Sequence, residues 1–189
     1  MRARRYGVAL AALVTAGAAV AVAVPATATA APKAVSACPT GWGSLSKSAA
    51  DAELGSLTDI RTGRHECYDR MVFDVPTTGP DAIGYTVQYV DAVYQDGSGR
   101  LIPVSGGAII EIRVAAPSYD PETGGATYPG RAGRPLPGVD LTGYRTFRDA
   151  KFASSFEGDT QVGLGVRARL PFRVFELSDR LVVDVAHTW

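Results

Sequence analysis

Four stretches of this chain place an apolar residue at every second position, and that period most constrains its fold. Met71, Phe73 and Val75 alternate with Val72 and Asp74, and Tyr85, Val87 and Tyr89 with Thr86 and Gln88. Ala108, Ile110, Ile112 and Val114 form a third series, and Val162, Leu164, Val166 and Ala168 a fourth. A period of two turns one face of a strand inward and the other outward. Turn residues separate the series: Thr78-Gly79-Pro80, Asp96-Gly97-Ser98-Gly99, Ser105-Gly106-Gly107 and Glu157-Gly158-Asp159. No window of about eleven residues carries a helical repeat. The expectation is an all-β, antiparallel β-sandwich of seven to nine short strands.

An internal echo refines it. Residues 69–75 read Asp-Arg-Met-Val-Phe-Asp-Val and residues 179–185 read Asp-Arg-Leu-Val-Val-Asp-Val, identical at five of seven positions. Tyr85-Thr86-Val87 is echoed by Phe172-Arg173-Val174. The repetition predicts pseudo-symmetric halves. If the two echoed strands pair antiparallel with Val72 opposite Val182, then Arg70 faces Asp184 and Asp74 faces Arg180.

The N-terminus reads as a cleavable signal peptide over 1–30. Arg2, Arg4 and Arg5 precede an apolar run from Val8 to Val24, and Ala28-Thr29-Ala30 supplies a small-residue cleavage site before Ala31. The rival is an uncleaved anchor, but the run is short and rich in alanine against the roughly 20 apolar residues a span needs. Residues 31–189 then form the exported chain, secreted and without a stable membrane span. Losing three arginines gives it a net charge near −3, which offers nucleic acid no basic patch. In an exported chain the two cysteines, Cys38 and Cys67, are read as one disulfide. The alternative is lipidation at Cys38, because Val35-Ser36-Ala37-Cys38 has the form of a lipobox.

Residues 31–62 have weak periodicity and read as an N-terminal arm tied on by that disulfide, with a short helical turn between Lys47 and Leu54. Residues 117–143 are rich in glycine and proline and read as a long, mobile, irregular loop.

From about Gly63 to Trp189 the chain resembles the AMIN-like domain family. The segments that carry the resemblance are Arg64-His65-Glu66-Cys67-Tyr68-Asp69-Arg70, Gly97-Ser98-Gly99-Arg100, Phe156-Glu157-Gly158, Gly163-Leu164-Gly165-Val166, Pro171-Phe172-Arg173-Val174 and Arg180-Leu181-Val182-Val183-Asp184-Val185. The resemblance implies an exported bacterial β-sandwich. It also implies a role like that of AMIN domains proper, which accompany cell-wall amidases and secretins and target them to peptidoglycan.

Catalytic signatures are missing. There is no H-E-x-x-H and no G-x-S-x-G, and oxidised cysteines supply no thiol nucleophile. Glu157 reads as a turn residue rather than half of a carboxylate pair. The two histidines, His65 and His187, each lie just outside an echoed strand. A divalent metal held there is the alternative reading; structural histidines are the favoured one.

The best binding candidate is the strand Val162–Leu170 and its successor. With Val162, Leu164 and Val166 inward, Gly163 and Gly165 leave the outer face bare. Arg167 and Arg169 continue that face, and Phe172 and Arg173 follow. Bare backbone, guanidinium forks and an aromatic ring suit a glycan with carboxylated stems. The expectation is therefore a non-catalytic, cofactor-free envelope module that binds peptidoglycan through Gly163, Gly165, Arg167, Arg169, Phe172 and Arg173. The alternatives are a metal-assisted hydrolase using His65 and His187, and a module that binds another envelope protein through open sheet edges or the 117–143 loop.

Overall fold

A computed structural model describes residues 38–39, 41–50, 55–76 and 83–189. The expected leader 1–30, the lipobox residues Val35 to Ala37 and the Thr78-Gly79-Pro80 turn lie outside the described residues. Among the described residues there are eleven strands: β1 (Lys47–Ala49), β2 (Asp59–Arg64), β3 (Tyr68–Asp74), β4 (Tyr85–Val90), β5 (Val93–Tyr94), β6 (Leu101–Ile102), β7 (Ala108–Val114), β8 (Phe147–Phe156), β9 (Asp159–Val166), β10 (Phe172–Glu176) and β11 (Arg180–Ala186). The count exceeds seven to nine because β1, β5 and β6 have only two or three residues, too few to display a period. Among the described residues no helix is long and apolar enough to cross a membrane.

All the strand pairs are antiparallel. One sheet runs β1-β4-β7-β9-β8, the other β10-β11-β3-β2, and β5-β6 is a separate hairpin. The inward positions of the period-two series meet in one core. Met71, Phe73, Leu181, Val183 and Val185 of the four-stranded sheet cluster with Val87, Ile110, Ile112, Val162 and Leu164 of the five-stranded sheet. Each such side chain, fully buried, contributes about 1.5–3 kcal/mol. The β8–β9 turn places Glu157 and Gly158 at φ of 50° and 91°, the left-handed pair that a two-residue hairpin needs. Glu157 is thus a turn residue.

The echoed strands are neighbours. Val72 pairs with Val182, Arg70 with Asp184 and Asp74 with Arg180. The hairpins β2–β3 and β10–β11 meet along this line, so the four-stranded sheet has an approximate two-fold in its connections. The weaker echo does not extend that symmetry: Tyr85-Thr86-Val87 lies on β4 in the five-stranded sheet, and Phe172-Arg173-Val174 on β10 in the other.

Cys38 and Cys67 form the disulfide, with 5.3 Å between Cα atoms, which sets aside lipidation at Cys38. Within the arm, Lys47–Ala49 is a strand on the edge beside β4 rather than part of a helical turn; 51–54 lie outside the described residues. β2 begins at Asp59, so a boundary at residue 62 falls inside a strand. The expectation of a mobile 117–143 loop is also corrected. Tyr128 and Leu136 are buried in the core. The backbone of 133–136 exchanges hydrogen bonds with β8 through Gly133–Phe152, Phe152–Arg134 and Leu136–Ala150. A few apolar anchors pin a segment whose composition is otherwise that of a loop.

Candidate functional site

The two sheets differ on their outer sides. On the five-stranded sheet, the β5–β6 hairpin and the chain after it lie over β7 and β9, where Val93, Ile102 and Ala153 form a second buried cluster. Beside this cluster the buried Gln161 donates to Glu111 at 2.6 Å and to the Tyr94 carbonyl at 2.9 Å. Its Oε1 accepts from Ser154 at 2.9 Å.

This cover corrects the bare-strand expectation. A Cβ on Gly165 would sit 1.9 Å from the Ser105 carbonyl oxygen, and one on Gly163 would sit 2.7 Å from Val104 Cγ2. The glycines are there because backbone and side chains already press on that face. β9 ends at Val166, and the chain then crosses toward the other sheet, so Arg167 and Arg169 do not continue its face. Exposed Arg167 donates to the His187 carbonyl. Exposed Arg169 lies 4.8 Å from the Tyr89 ring centroid and lines a 620 Å³ cleft with Asp91, Gly106 and Gly107. Phe172 is fully buried, edge-on to Tyr89 at 5.7 Å, and offers nothing to a ligand. Of the six expected residues, Arg173 alone stands on the outer side of the four-stranded sheet.

That side is built by β3 and β11, whose outward residues are Arg70, Val72 and Asp74 against Asp184, Val182 and Arg180. Asp184 is fully buried and held by two guanidinium groups. Arg70 donates through Nε at 2.6 Å and Nη2 at 2.9 Å, and Arg173 on neighbouring β10 through Nε at 2.8 Å. Asp74, at the far end, accepts from Arg61 on β2 at 2.6 Å and from Arg180 at 2.9 Å. The Arg61 hydrogen bond is the largest influence and outweighs desolvation, and with a lesser contribution from Arg180 it holds the Asp74 carboxyl below the usual carboxylate range. Each carboxylate is thus clamped by its cross-strand echo partner and by an arginine from a flanking strand. Between the clamps Val72 and Val182 are buried although they face outward; Arg61 stands opposite Val72 on β2 and Phe175 opposite Val182 on β10.

Among the described residues, aromatic rings collect at the Asp184 end. The Arg173 guanidinium carbon lies 4.5 Å from the Trp42 ring centroid, 4.7 Å from Phe175 and 5.5 Å from Tyr68. Arg70 lies 5.2 Å from the Tyr68 centroid, and His65 stacks on the same ring at 4.5 Å. Two guanidinium groups around one carboxylate leave a net positive charge, and the Arg173 side chain keeps 36% of its surface open to solvent. Such a surface can receive a carboxylate on its guanidinium edge and a flat ring on its aromatics.

Sequence reasoning missed Trp42, Tyr68 and Phe175. Tyr68 and Phe175 lie two residues from Arg70 and Arg173 on the same strand faces, a signal available from period two. Trp42 arrives through the disulfide, four residues after Cys38, while Tyr68 directly follows Cys67.

The histidines have other uses. His187 is buried, with Nε2 3.1 Å from Asp69 Oδ1 and Nδ1 3.1 Å from the Glu66 carbonyl. Asp69 Oδ2 accepts from the backbone N–H groups of Thr146 and Phe147. Both ring nitrogens of His187 are therefore engaged in joining β3, β11 and the start of β8. Among the described residues no group of three or more histidine, cysteine, aspartate or glutamate side chains has an arrangement that could hold a metal ion.

Two packed antiparallel sheets, one covered outside and one displaying clamped arginines, define an all-β module with a single decorated face. The chain belongs to the AMIN-like domain family, whose family model matches residues 55–187, more than half of the chain. The membership relates it to cell-wall binding modules. No curated protein and no solved structure matches the chain.

Proposed function

We propose that this chain is an exported, non-catalytic cell-envelope module that binds peptidoglycan non-covalently through the outer side of its four-stranded sheet. The observation that carries this reading is Arg173. It shares the buried Asp184 with Arg70 and stands among Trp42, Tyr68 and Phe175 with part of its guanidinium in solvent. An anionic stem carboxylate meets the spare positive charge, and the neighbouring rings meet sugar or peptide groups. Family membership supports the class of ligand, since AMIN domains proper are wall-targeting modules without catalysis. The contact surface moves from the β9 strand expected from sequence to β10, β11 and β3. Arg173 is the residue the two surfaces share.

The test is co-sedimentation of the purified protein with peptidoglycan sacculi at low and high salt. Saturable binding that weakens with salt and is lost in Arg173→Glu is the expected result. Absence of binding at both salts, or full binding by the variant, overturns it.

A further inference from the structure

The wall-binding reading uses one side of Trp42; a separate cleft uses the same residue. Trp42 and Trp189 wall a partly open depression of 280 Å³, completed by Pro39, Gly41, Gly43, Pro171, Ala186 and Thr188. Among the described residues no charged side chain lines it. Its size lies near the lower end of small-ligand sites, room for one ring rather than a chain of them.

Trp189 is the informative residue. It is 74% exposed, yet its Nε1 donates to the Arg169 carbonyl at 3.1 Å. An exposed indole usually reduces its contact with water by folding onto the surface. This one is held by its polar edge and keeps most of its ring open. Trp42 is fixed from the other direction by the disulfide at Cys38 and by Arg173 and Tyr68. The Gly43 carbonyl next to it accepts the Phe172 N–H at 2.9 Å, so the segment carrying Trp42 is bonded to the edge of β10. Two oriented indoles and two pyrrolidine rings make flat, apolar walls with an open rim.

We propose that this cleft is a carbohydrate subsite that takes one neutral pyranose ring of an N-acetylated glycan. A pyranose has two faces of C–H groups and an equator of hydroxyls. The faces suit the electron-rich surface of indole, and the hydroxyls stay hydrated at the open rim. A lipid chain would need greater apolar depth than one ring's width. Continuity with the arginine face decides between a free sugar and a polymer. Trp42 borders both places, so a glycan ring here puts its carboxylated stem within reach of Arg173. The inference rests on the wall-binding reading and adds that the sugar backbone, not only the stem, is recognised.

The probe is chitotetraose, an uncharged oligomer of N-acetylglucosamine without peptide. Titration should quench or shift the tryptophan fluorescence saturably and with little dependence on salt. Trp189→Ala, an exposed position whose loss leaves the core intact, should weaken chitotetraose binding by about tenfold or more, while calorimetric unfolding stays as in the parent. No binding of chitotetraose, or equal binding by Trp189→Ala, overturns the subsite. Sacculi bound in a salt-dependent way without chitotetraose binding would leave the arginine face standing and remove the subsite. Chitotetraose binding without sacculus binding would remove the wall-binding reading while retaining a sugar cleft.

Discussion

Arg70 and Asp184 stand directly opposite each other on β3 and β11, separated by 114 residues of chain and joined by hydrogen bonds of 2.6 and 2.9 Å. The carboxylate has no exposed surface, and the arginine side chain keeps 21% of its own. Water therefore cannot replace what Arg70 supplies. In Arg70→Met the apolar stem remains and the clamp is halved, so stability should fall by about 3 kcal/mol. The more exposed Arg173→Met should cost under about 1 kcal/mol. Urea midpoints at unchanged m would measure both; equal losses would mean that the two arginines share the clamp evenly and overturn the ranking.

Asp74 gives the sheet a pH dependence. Its folded-state carboxyl is depressed by hydrogen bonds from Arg61 and then Arg180. Its stabilisation is therefore complete above the unfolded carboxylate value of about 4 and is lost as pH falls through the lower folded value. Asp74→Asn should be less stable than the parent near neutrality, with the gap closing as acid is added below about pH 4. Denaturant curves for both proteins over that range test it, and a gap that does not change with pH contradicts it.

Gly165→Ala should be among the most damaging single-methyl additions. The new carbon would meet the Ser105 carbonyl oxygen at 1.9 Å, a backbone atom that cannot rotate away. A loss of about 3 kcal/mol or more is expected. At Gly163 the nearest obstacle is the Val104 side chain at 2.7 Å, which can yield, so Gly163→Ala should cost less. Thermal unfolding of the two variants gives the order, and the reverse order would mean that the covering segment lifts off easily.

The disulfide ties the segment bearing Trp42 to the strand bearing Tyr68. Replacing both Cys38 and Cys67 with serine should lower stability by about 3 kcal/mol on loop-entropy grounds. It should also weaken sacculus binding while the four-stranded sheet persists, because Trp42 loses its tether. Melting and sedimentation of the double variant check both effects, and unchanged sedimentation would take Trp42 out of the binding surface.

Much of the fold was legible because period two is a direct consequence of strand geometry. Met71, Phe73, Ile110 and Leu164 turned inward as their spacing required. The register of β3 on β11 followed from the echo once pairing was supposed, since Val72 opposite Val182 lets both Arg–Asp pairs meet; that the two strands are neighbours was not legible, because a repeat does not say which strands touch. The site was less so. Gly163 and Gly165 signal close approach, but the sequence does not say whether a ligand or the chain itself approaches; here it is Val104 and Ser105. Arg167 kept the alternating pattern one residue past the end of β9, where the chain had already left the sheet. Tyr128 and Leu136 were hidden among glycines and prolines, because two anchors make no period.

The central pairing of the four-stranded sheet joins β3, the third of the described strands, to β11, the last of them. Until residues 180–186 are available, β3 has only β2 beside it, and its other edge lacks a partner. The sheet is therefore assembled by a contact of very high sequence separation, which slows folding. Export in the unfolded state, as proposed above, would gain from such late closure: the four-stranded sheet cannot lock before β11 arrives to pair with β3.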